Sequence, residues 1–278
     1  MKIIHVVIYL SVLGLLISCS SESENQNGMQ ESAAAELRIA AYNVEVSRNA
    51  TAREIGEALQ QYNLDIIGFS EAPGGNWTNE AAEVLGMDHV VTGRYTTAGH
   101  DDKYKTIASK TPLYDLEEVL MADTLHTATK AKTVIDGVEV TVYSVHFPFG
   151  WRDQAHIDET TGKISSLVDH LGQHQNSEIS IVVGDFNFIP SKQDEESMYH
   201  EMFKEIGLDF AWDDLSIDAT TKNTHNALEP EDEGNGNVID HIMYNPEKAV
   251  AIDGGIIEME QALSDHKPVW AVIQIEQE

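Results

Sequence analysis

The chain has 278 residues, 42% hydrophobic and 23% charged, the composition of an ordinary globular protein with one large domain or two small ones. Its 17 Lys and Arg stand against 47 Asp and Glu, a formal net charge of −30 that argues against a basic groove tracking a phosphate backbone. A bound divalent cation can reverse such a field locally, so a phosphate substrate is not excluded.

At the N-terminus Lys2 precedes an apolar run from Ile3 to Ile17, interrupted by His5, Tyr9, Ser11 and Gly14. A membrane-spanning helix needs about 20 apolar residues, so this run is short for a span and fits the core of a signal peptide. It ends in Leu16-Ile17-Ser18-Cys19, and Cys19 is the single cysteine of the chain. The tetrapeptide resembles the lipobox of bacterial lipoproteins, a class in which the signal is cut before the cysteine and the cysteine carries lipid. Residues 1–19 are therefore expected to be a lipoprotein signal, the competing reading being a plain secretory signal with an incidental cysteine. Residues 20–35, rich in Ser, Glu, Asn and Gln, cannot bury enough surface to offset their ordering entropy and are expected to form a flexible tether. No repeat or second composition shift follows, so residues 36–278 are expected to be one domain, anchored outside the cytoplasm in a bacterial cell envelope.

Within that domain, Leu37 to Val44 reads as a buried strand ending near Asn43. Thr51-Ala52-Arg53-Glu54 has the spacing of a capping box, and Ile55, Leu59 and Tyr62 share a helical face. Asp65 to Glu71 is a short apolar strand closing on Glu71. Thr106 to Ser109 and the region around Leu113 are weaker strands separated by Pro112. Thr133 to Ile135 and Val138 to His146 form a hairpin around Asp136-Gly137, whose second arm ends on His146. Ile164, Leu167, Val168 and Leu171 mark a helix. Ile179 to Val183 is an apolar strand running into Gly184-Asp185-Phe186-Asn187, and a helix is expected over 194–206. Val238 to Tyr244 and Val269 to Ile275 close the chain as strands. Strands with interspersed helices indicate a layered α/β or α+β domain.

The placement of polar residues carries more. Asn43, Glu71, His146 and Asp185 each sit at or just past the end of an apolar strand, where a sheet can gather side chains from distant sequence into one cleft. Asp185 and Asn187 lie two apart, the spacing of an Asx turn as well as of a paired acid and amide. Asp240 lies among apolar neighbours, where a buried carboxylate needs a partner. Asp265 and His266 are adjacent before the last strand. The run His100-Asp101-Asp102-Lys103 reads mainly as solvated loop. The aromatics of Phe147-Pro148-Phe149-Gly150-Trp151-Arg152 suit loop packing and a base- or lipid-facing surface equally, and residues 229–237 read as an exposed acidic loop.

Taken together, IAAYNV, DIIGFSEA, KTIASKTPL, VTVYSVHF, VVGDFNFIP, VIDHIMYN and SDHKPV resemble, in order, the motifs of the endonuclease/exonuclease/phosphatase family, from about Leu37 to the C-terminus. That family includes pancreatic-type deoxyribonucleases, abasic-site endonucleases, sphingomyelinases and inositol-polyphosphate phosphatases. The fold implied is a four-layered α/β sandwich, two mostly antiparallel sheets packed face to face with helices outside. The resemblance implies a Mg²⁺ site, with Mn²⁺ as the alternative ion, held by Glu71 with Asn43 beside it and Asp265 as a further carboxylate; a hard ion of this kind prefers oxygen ligands. It further implies that Asp185 and Asn187 position the attacking water and the scissile phosphate. His266 would face that phosphate, Asp240 would orient His266, and His146 would face the leaving group. The sequence departs from the family pattern at Ser70, where glutamine is usual, and at Ser144, where asparagine is usual. Only His126, Lys130 and Lys132 stand near the position of a common arginine.

The function expected is divalent-metal-dependent hydrolysis of a phosphoester. The −30 charge and membrane tether rank small-molecule or lipid-headgroup substrates above nucleic acid. An extracytoplasmic DNA or RNA endonuclease, or a non-catalytic binding lipoprotein retaining the fold, are the alternatives. The chain is expected to act as a monomer tied to the membrane through lipidated Cys19.

Overall fold

The computed structural model describes residues 34–97, 99–149, 154–188, 197–228 and 238–276. The leader with Cys19, nearly all of the tether, the loop 229–237 and the start of the helix expected from 194 lie outside the described residues. Among the described residues no helix is long and apolar enough to cross a membrane.

In chain order the elements are β1 (Ala35–Asn43), α1 (Ala52–Leu59), β2 (Ile66–Ala72), α2 (Trp77–Leu85), β3 (His89–Thr96), β4 (Tyr104–Ser109), β5 (Tyr114–Leu120), β6 (Thr127–Ile135) and β7 (Val138–His146). There follow α3 (Gln154–His174), β8 (Ser180–Asp185), α4 (Ser197–Glu205), β9 (Asp209–Phe210), α5 (Ala211–Asp214), β10 (Asp240–Tyr244), β11 (Ala249–Ile256) and β12 (Val269–Ile275). They form two six-stranded sheets, ordered β11-β12-β1-β2-β4-β3 and β5-β6-β7-β8-β10-β9. Each sheet has one parallel pair at its centre, β1 with β2 and β7 with β8, and antiparallel pairs on either side. The expected layered sandwich of mostly antiparallel sheets is the observed fold.

The strand period of two explains the layers. On β1, Leu37, Ile39 and Ala41 face a core shared with Val142, Val183 and Ile273, which is the seam between the sheets. The intervening Ala40 and Tyr42 face a second core with Ile55, Leu59, Ala81 and Leu85 of α1 and α2. Ile164, Leu167 and Leu171 of α3 close the other side. Ile39 is fully buried at the seam, and truncating it to alanine would cost about 2–5 kcal/mol.

Local signals set several boundaries. Thr51 caps α1 as a capping box, with Glu54 N donating to Thr51 Oγ1 at 3.3 Å and Thr51 N donating to Glu54 Oε2 at 2.8 Å. The β6–β7 hairpin turns on Asp136 and Gly137 at φ +48° and +90°, the left-handed pair that Asp-Gly allows. Several elements were not legible in the sequence, namely α2, β3, β9, α5 and β11. Helix α2 buries mostly small residues, Thr78, Ala81 and Ala82 beside Leu85, so its apolar period is weak. Strands β3 and β11 are sheet edges without clean alternation, and each carries glycine and a register shift.

Candidate active site

The parallel pairs decide where the chemistry collects. Because β1 runs with β2 and β7 with β8, their carboxyl ends share one end of the sandwich, the place where sheet proteins seat ligands. Asn43 pairs with Ser70, and His146 pairs with Asp185. Strand β10 enters antiparallel beside β8, so its first residue, Asp240, pairs with Asp185 at that same end. Gly184 allows the approach: a Cβ there would lie 2.1 Å from Val145 O, at a φ of +143°.

Asp185 stands at the centre, 1% exposed. Its Oδ2 accepts from Asn43 Nδ2 at 2.9 Å and lies 3.5 Å from His146 Nε2 and 3.7 Å from His266 Nε2. Its Oδ1 accepts from Asn187 N at 2.9 Å, so the Asx turn and the convergent acid are the same residue. Asn187 adopts φ +54° and donates through Nδ2 to Phe147 O at 2.9 Å. Asp240, fully buried, has the partner its position demands: His266 Nδ1 lies 2.8 Å from its Oδ2. Thr224 Oγ1 accepts from Ile239 N and Asp240 N, which fixes the entry to β10.

Electrostatics divide the two histidines. Burial alone would pull His266 down, but the carboxylates of Asp240, Asp185 and Asp265 hold it up, favouring the imidazolium. Burial pushes the Asp185 carboxyl up, against the opposing charge of His266. His146 is held well below the usual histidine range by burial and by the positive charges of Lys105, His266 and Lys103, so it is neutral. Its Nδ1 lies 3.0 Å from Thr97 Oγ1 and its Nε2 3.7 Å from Glu71 Oε1.

Glu71 reaches this end through a bulge. Phe69 pairs with Thr106 and Ala72 with Tyr104, so Ser70 and Glu71 face Lys105 alone. Glu71 takes φ +50°, is 8% exposed, and meets the ammonium of Lys103 at 2.5 Å through Oε2. That contact lacks hydrogen-bond alignment, so Oε2 is a buried carboxylate oxygen with no hydrogen-bond partner among the described residues. A buried oxygen neutralised by charge alone suits a hard cation, and a metal at Glu71 fits these residues. Asn43 is close by register but commits Nδ2 to Asp185, while its Oδ1 accepts from Glu45 N at 3.1 Å. Asp265 groups elsewhere: its carboxylate and the ring nitrogens of His225 and His266 lie within 4.8 Å of one another, as do the donor atoms of Asp185, Asp240 and His266.

The sequence reading missed several participants. Lys103 belongs to a run read as solvated loop, yet its side chain is 15% exposed against Glu71. His225 packs its ring 4.9 Å from that of His266, a pairing made by a short bridge between residues 41 positions apart, with no local signal. Ser70 and Ser144, the departures from the family pattern, span the seam between the sheets. Ser70 Oγ donates to Val145 O at 2.8 Å and accepts from Asp185 N at 3.3 Å, and Ser144 Oγ donates to Phe69 O at 3.3 Å. The residues near the common arginine position are spent on other carboxylates: His126 on Asp123, Lys130 on Glu117, Lys132 on Glu139 and Glu178. Of the aromatic run after His146, Phe147 packs among Phe186, Phe188 and Phe203, whereas Phe149 is 43% exposed.

Comparison with known proteins places this geometry. The profile of the Endonuclease/Exonuclease/phosphatase family matches residues 40–266. The endonuclease/exonuclease/phosphatase from Beutenbergia cavernae superposes with a TM-score of 0.73 at 16% identity, covering 87% of this chain and 72% of that one. An AP endonuclease from Archaeoglobus fulgidus gives 0.67 at 19% identity, over 86% of this chain and all (100%) of that one. A 3′ phosphatase from Neisseria, bound to a product DNA hairpin, gives 0.65 at 18% identity over 87% and 100%. These likenesses show a shared fold. No curated protein sequence matches the chain.

Proposed function

Because the chain belongs to the endonuclease/exonuclease/phosphatase family, we propose that it hydrolyses phosphoester bonds with a divalent metal ion, at the cleft where the strand ends of its two sheets meet. The observation that carries the reading is the convergence on Asp185 Oδ2 of Asn43 at 2.9 Å, His146 at 3.5 Å and His266 at 3.7 Å, with Asp240 fastening His266 from behind. Such hydrolysis needs an oriented water, neutralised non-bridging oxygens and help for the departing alkoxide.

Glu71 would hold Mg²⁺ or Mn²⁺, with Asn43 Oδ1 as a second ligand on release from Glu45 N; Asp265, which the family resemblance puts on the metal side, groups here with His225 and His266. The ion, when bound, supplies Lewis acidity at a phosphoryl oxygen. The remaining work falls to the chain. Asp185, raised by burial, and Asn187 orient the attacking water and accept or hold its proton at Asp185 Oδ2. His266, kept as the imidazolium by Asp240, donates from Nε2 to a non-bridging oxygen. His146 takes the leaving-group side as a hydrogen-bond donor: with the Thr97 hydroxyl donating to Nδ1, the neutral ring keeps its hydrogen on Nε2 and hydrogen-bonds the departing oxygen, which takes its proton from water. General acid–base help of this kind contributes roughly 10²–10⁴-fold.

The −30 charge favours small or lipid-derived phosphoesters over nucleic acid. The test is purified protein with Mg²⁺ on bis(p-nitrophenyl) phosphate, p-nitrophenyl phosphate, phospholipid vesicles and supercoiled plasmid, with Asp185→Ala and chelated wild type as controls. Turnover lost in both controls supports the reading, and full activity in either one sinks it. Plasmid nicking faster than small-diester hydrolysis would reverse the substrate ranking. Lipid attachment at Cys19, supported by the sequence, holds the domain outside the cytoplasm in this reading. Wild type that enters the detergent phase while Cys19→Ser stays aqueous is the result expected, and equal partitioning would refute the anchor.

A further inference from the structure

The β3–β4 loop brings a positive charge to the carboxylate read here as the metal ligand. Thr97 N donates to Lys103 O at 2.8 Å, closing the loop at its base, and the Thr97 side chain meets His146 Nδ1 at 3.0 Å. Immediately after the closure, Tyr104 pairs with Ala72 just beyond the bulge that turns Glu71. Lys103 is thereby set beside Glu71, Nζ to Oε2 at 2.5 Å, with side chains 15% and 11% exposed. The ammonium and the carboxylate touch without hydrogen-bond alignment, so charge rather than direction holds them. A spherical cation would satisfy Glu71 in the same way.

The neighbouring lysines are fixed elsewhere. Lys105 Nζ donates to Tyr95 O at 2.8 Å, Lys130 pairs with Glu117 of β5, and Lys132 pairs with Glu139 of β7 and with Glu178 just before β8. Lys103 is therefore the lysine that faces Glu71. A buried carboxylate is costly without a counter-charge, and the flexible four-carbon stem of lysine can both supply one and withdraw it.

We propose that Lys103 is a tethered cation that neutralises Glu71 until a divalent ion displaces it, and that this exchange sets the affinity of the site for the ion. The inference rests on the reading of Glu71 as a metal ligand. Lys103 is a positioning residue in this account: it keeps Glu71 aimed into the cleft before the ion arrives.

Mn²⁺ binding to the full-length protein in detergent, followed by electron paramagnetic resonance of the free ion, tests the exchange without reference to turnover. Lys103→Met and Lys103→Gln should each bind the ion about tenfold more tightly than wild type, the scale on which neighbours tune a metal site. Lys103→Arg, which keeps the charge, should not. The metal-free Met variant should also melt below the metal-free wild type and recover on adding Mn²⁺. Glu71→Gln should lose the site in either background. If both neutral variants bind Mn²⁺ no more tightly than wild type while Glu71→Gln loses it, the exchange is wrong and the metal reading stands. If Glu71→Gln binds as wild type does, the metal reading fails and the exchange fails with it.

Discussion

His266 and His146 both approach Asp185 Oδ2, at 3.7 and 3.5 Å, and both are buried, yet the walls behind them drive them apart. Behind His266 stands Asp240, 2.8 Å from Nδ1, and the summed carboxylates outweigh the burial penalty. Behind His146 stands a threonine hydroxyl, with Lys103 and Lys105 contributing positive charge, and burial wins. The same ring in the same cleft is favoured as the imidazolium on one wall and as the neutral imidazole on the other. Partner charge rather than depth makes the difference, the general way in which one site runs acid and base roles side by side.

The largest effect is expected where that partner is removed. His266→Ala should lower kcat on bis(p-nitrophenyl) phosphate by about 10²–10⁴-fold, and Asp240→Asn by a comparable or slightly smaller factor. If Asp240→Asn stays within threefold of wild type, Asp240 is not what makes His266 a donor and the contrast between the walls collapses. The other wall gives a smaller and more selective loss. His146→Ala should cost about 10–10²-fold on a diester with an alkyl leaving group and much less on one with nitrophenolate, whose delocalised charge needs less hydrogen bonding as it departs. Equal losses on both substrates would remove His146 from the leaving-group side.

A third buried histidine extends the comparison away from the cleft. His241, next to Asp240 in sequence, turns to the opposite face of β10, with Nε2 3.0 Å from Phe188 O and Nδ1 accepting from Trp212 Nε1 at 2.8 Å. Fully buried among Phe186, Phe188 and Phe210 with no carboxylate partner among the described residues, it is pushed from 6.5 down to about 3 by burial. The unfolded chain binds this proton and the folded chain does not, so stability is full above 6.5 and declines as pH falls toward about 3. Against His241→Gln, wild type should lose about 1.4 kcal/mol more per pH unit in that window. Urea unfolding at intervals between neutral and mildly acidic pH measures the two slopes, and parallel slopes would refute the assignment.

How much of this was legible depended on how far each residue acts from its own segment. Asn43, Glu71, His146 and Asp185 were visible because each ends an apolar run, and strand ends are local features. That Asp240 needed a partner followed from its apolar neighbours. The identity of that partner, His266, came from the family resemblance alone, since no periodicity encodes a pairing across 26 residues. The bulge at Ser70-Glu71 was invisible for the same reason, since it exists only in the register between β2 and β4. Without it, Lys103 reads as solvated loop. Helix α2 and the edge strands escaped because small residues and glycines pack well while leaving little apolar signal.

The smallest expected effect concerns the seam that holds Asp185 between its histidines. Ser70 lies in one sheet and its hydroxyl ties Val145 O and Asp185 N of the other, at 2.8 and 3.3 Å and with no exposure. Removing it leaves a buried N–H and a buried carbonyl without this partner, a loss of about 1–2 kcal/mol. Ser70→Ala should therefore lower the unfolding free energy by that amount. It should reduce kcat only a few-fold, because Asn43 and Asn187 still hold the Asp185 carboxylate. The glutamine usual at this position reaches further and would not fit the same gap: Gly68, two residues earlier on the same face, leaves only 2.6 Å between a built Cβ and Val183. Ser70→Gln should consequently destabilise more than Ser70→Ala. If the order is reversed, the seam is loose enough to admit the longer side chain, and Ser70 is not what sets the spacing of the two walls.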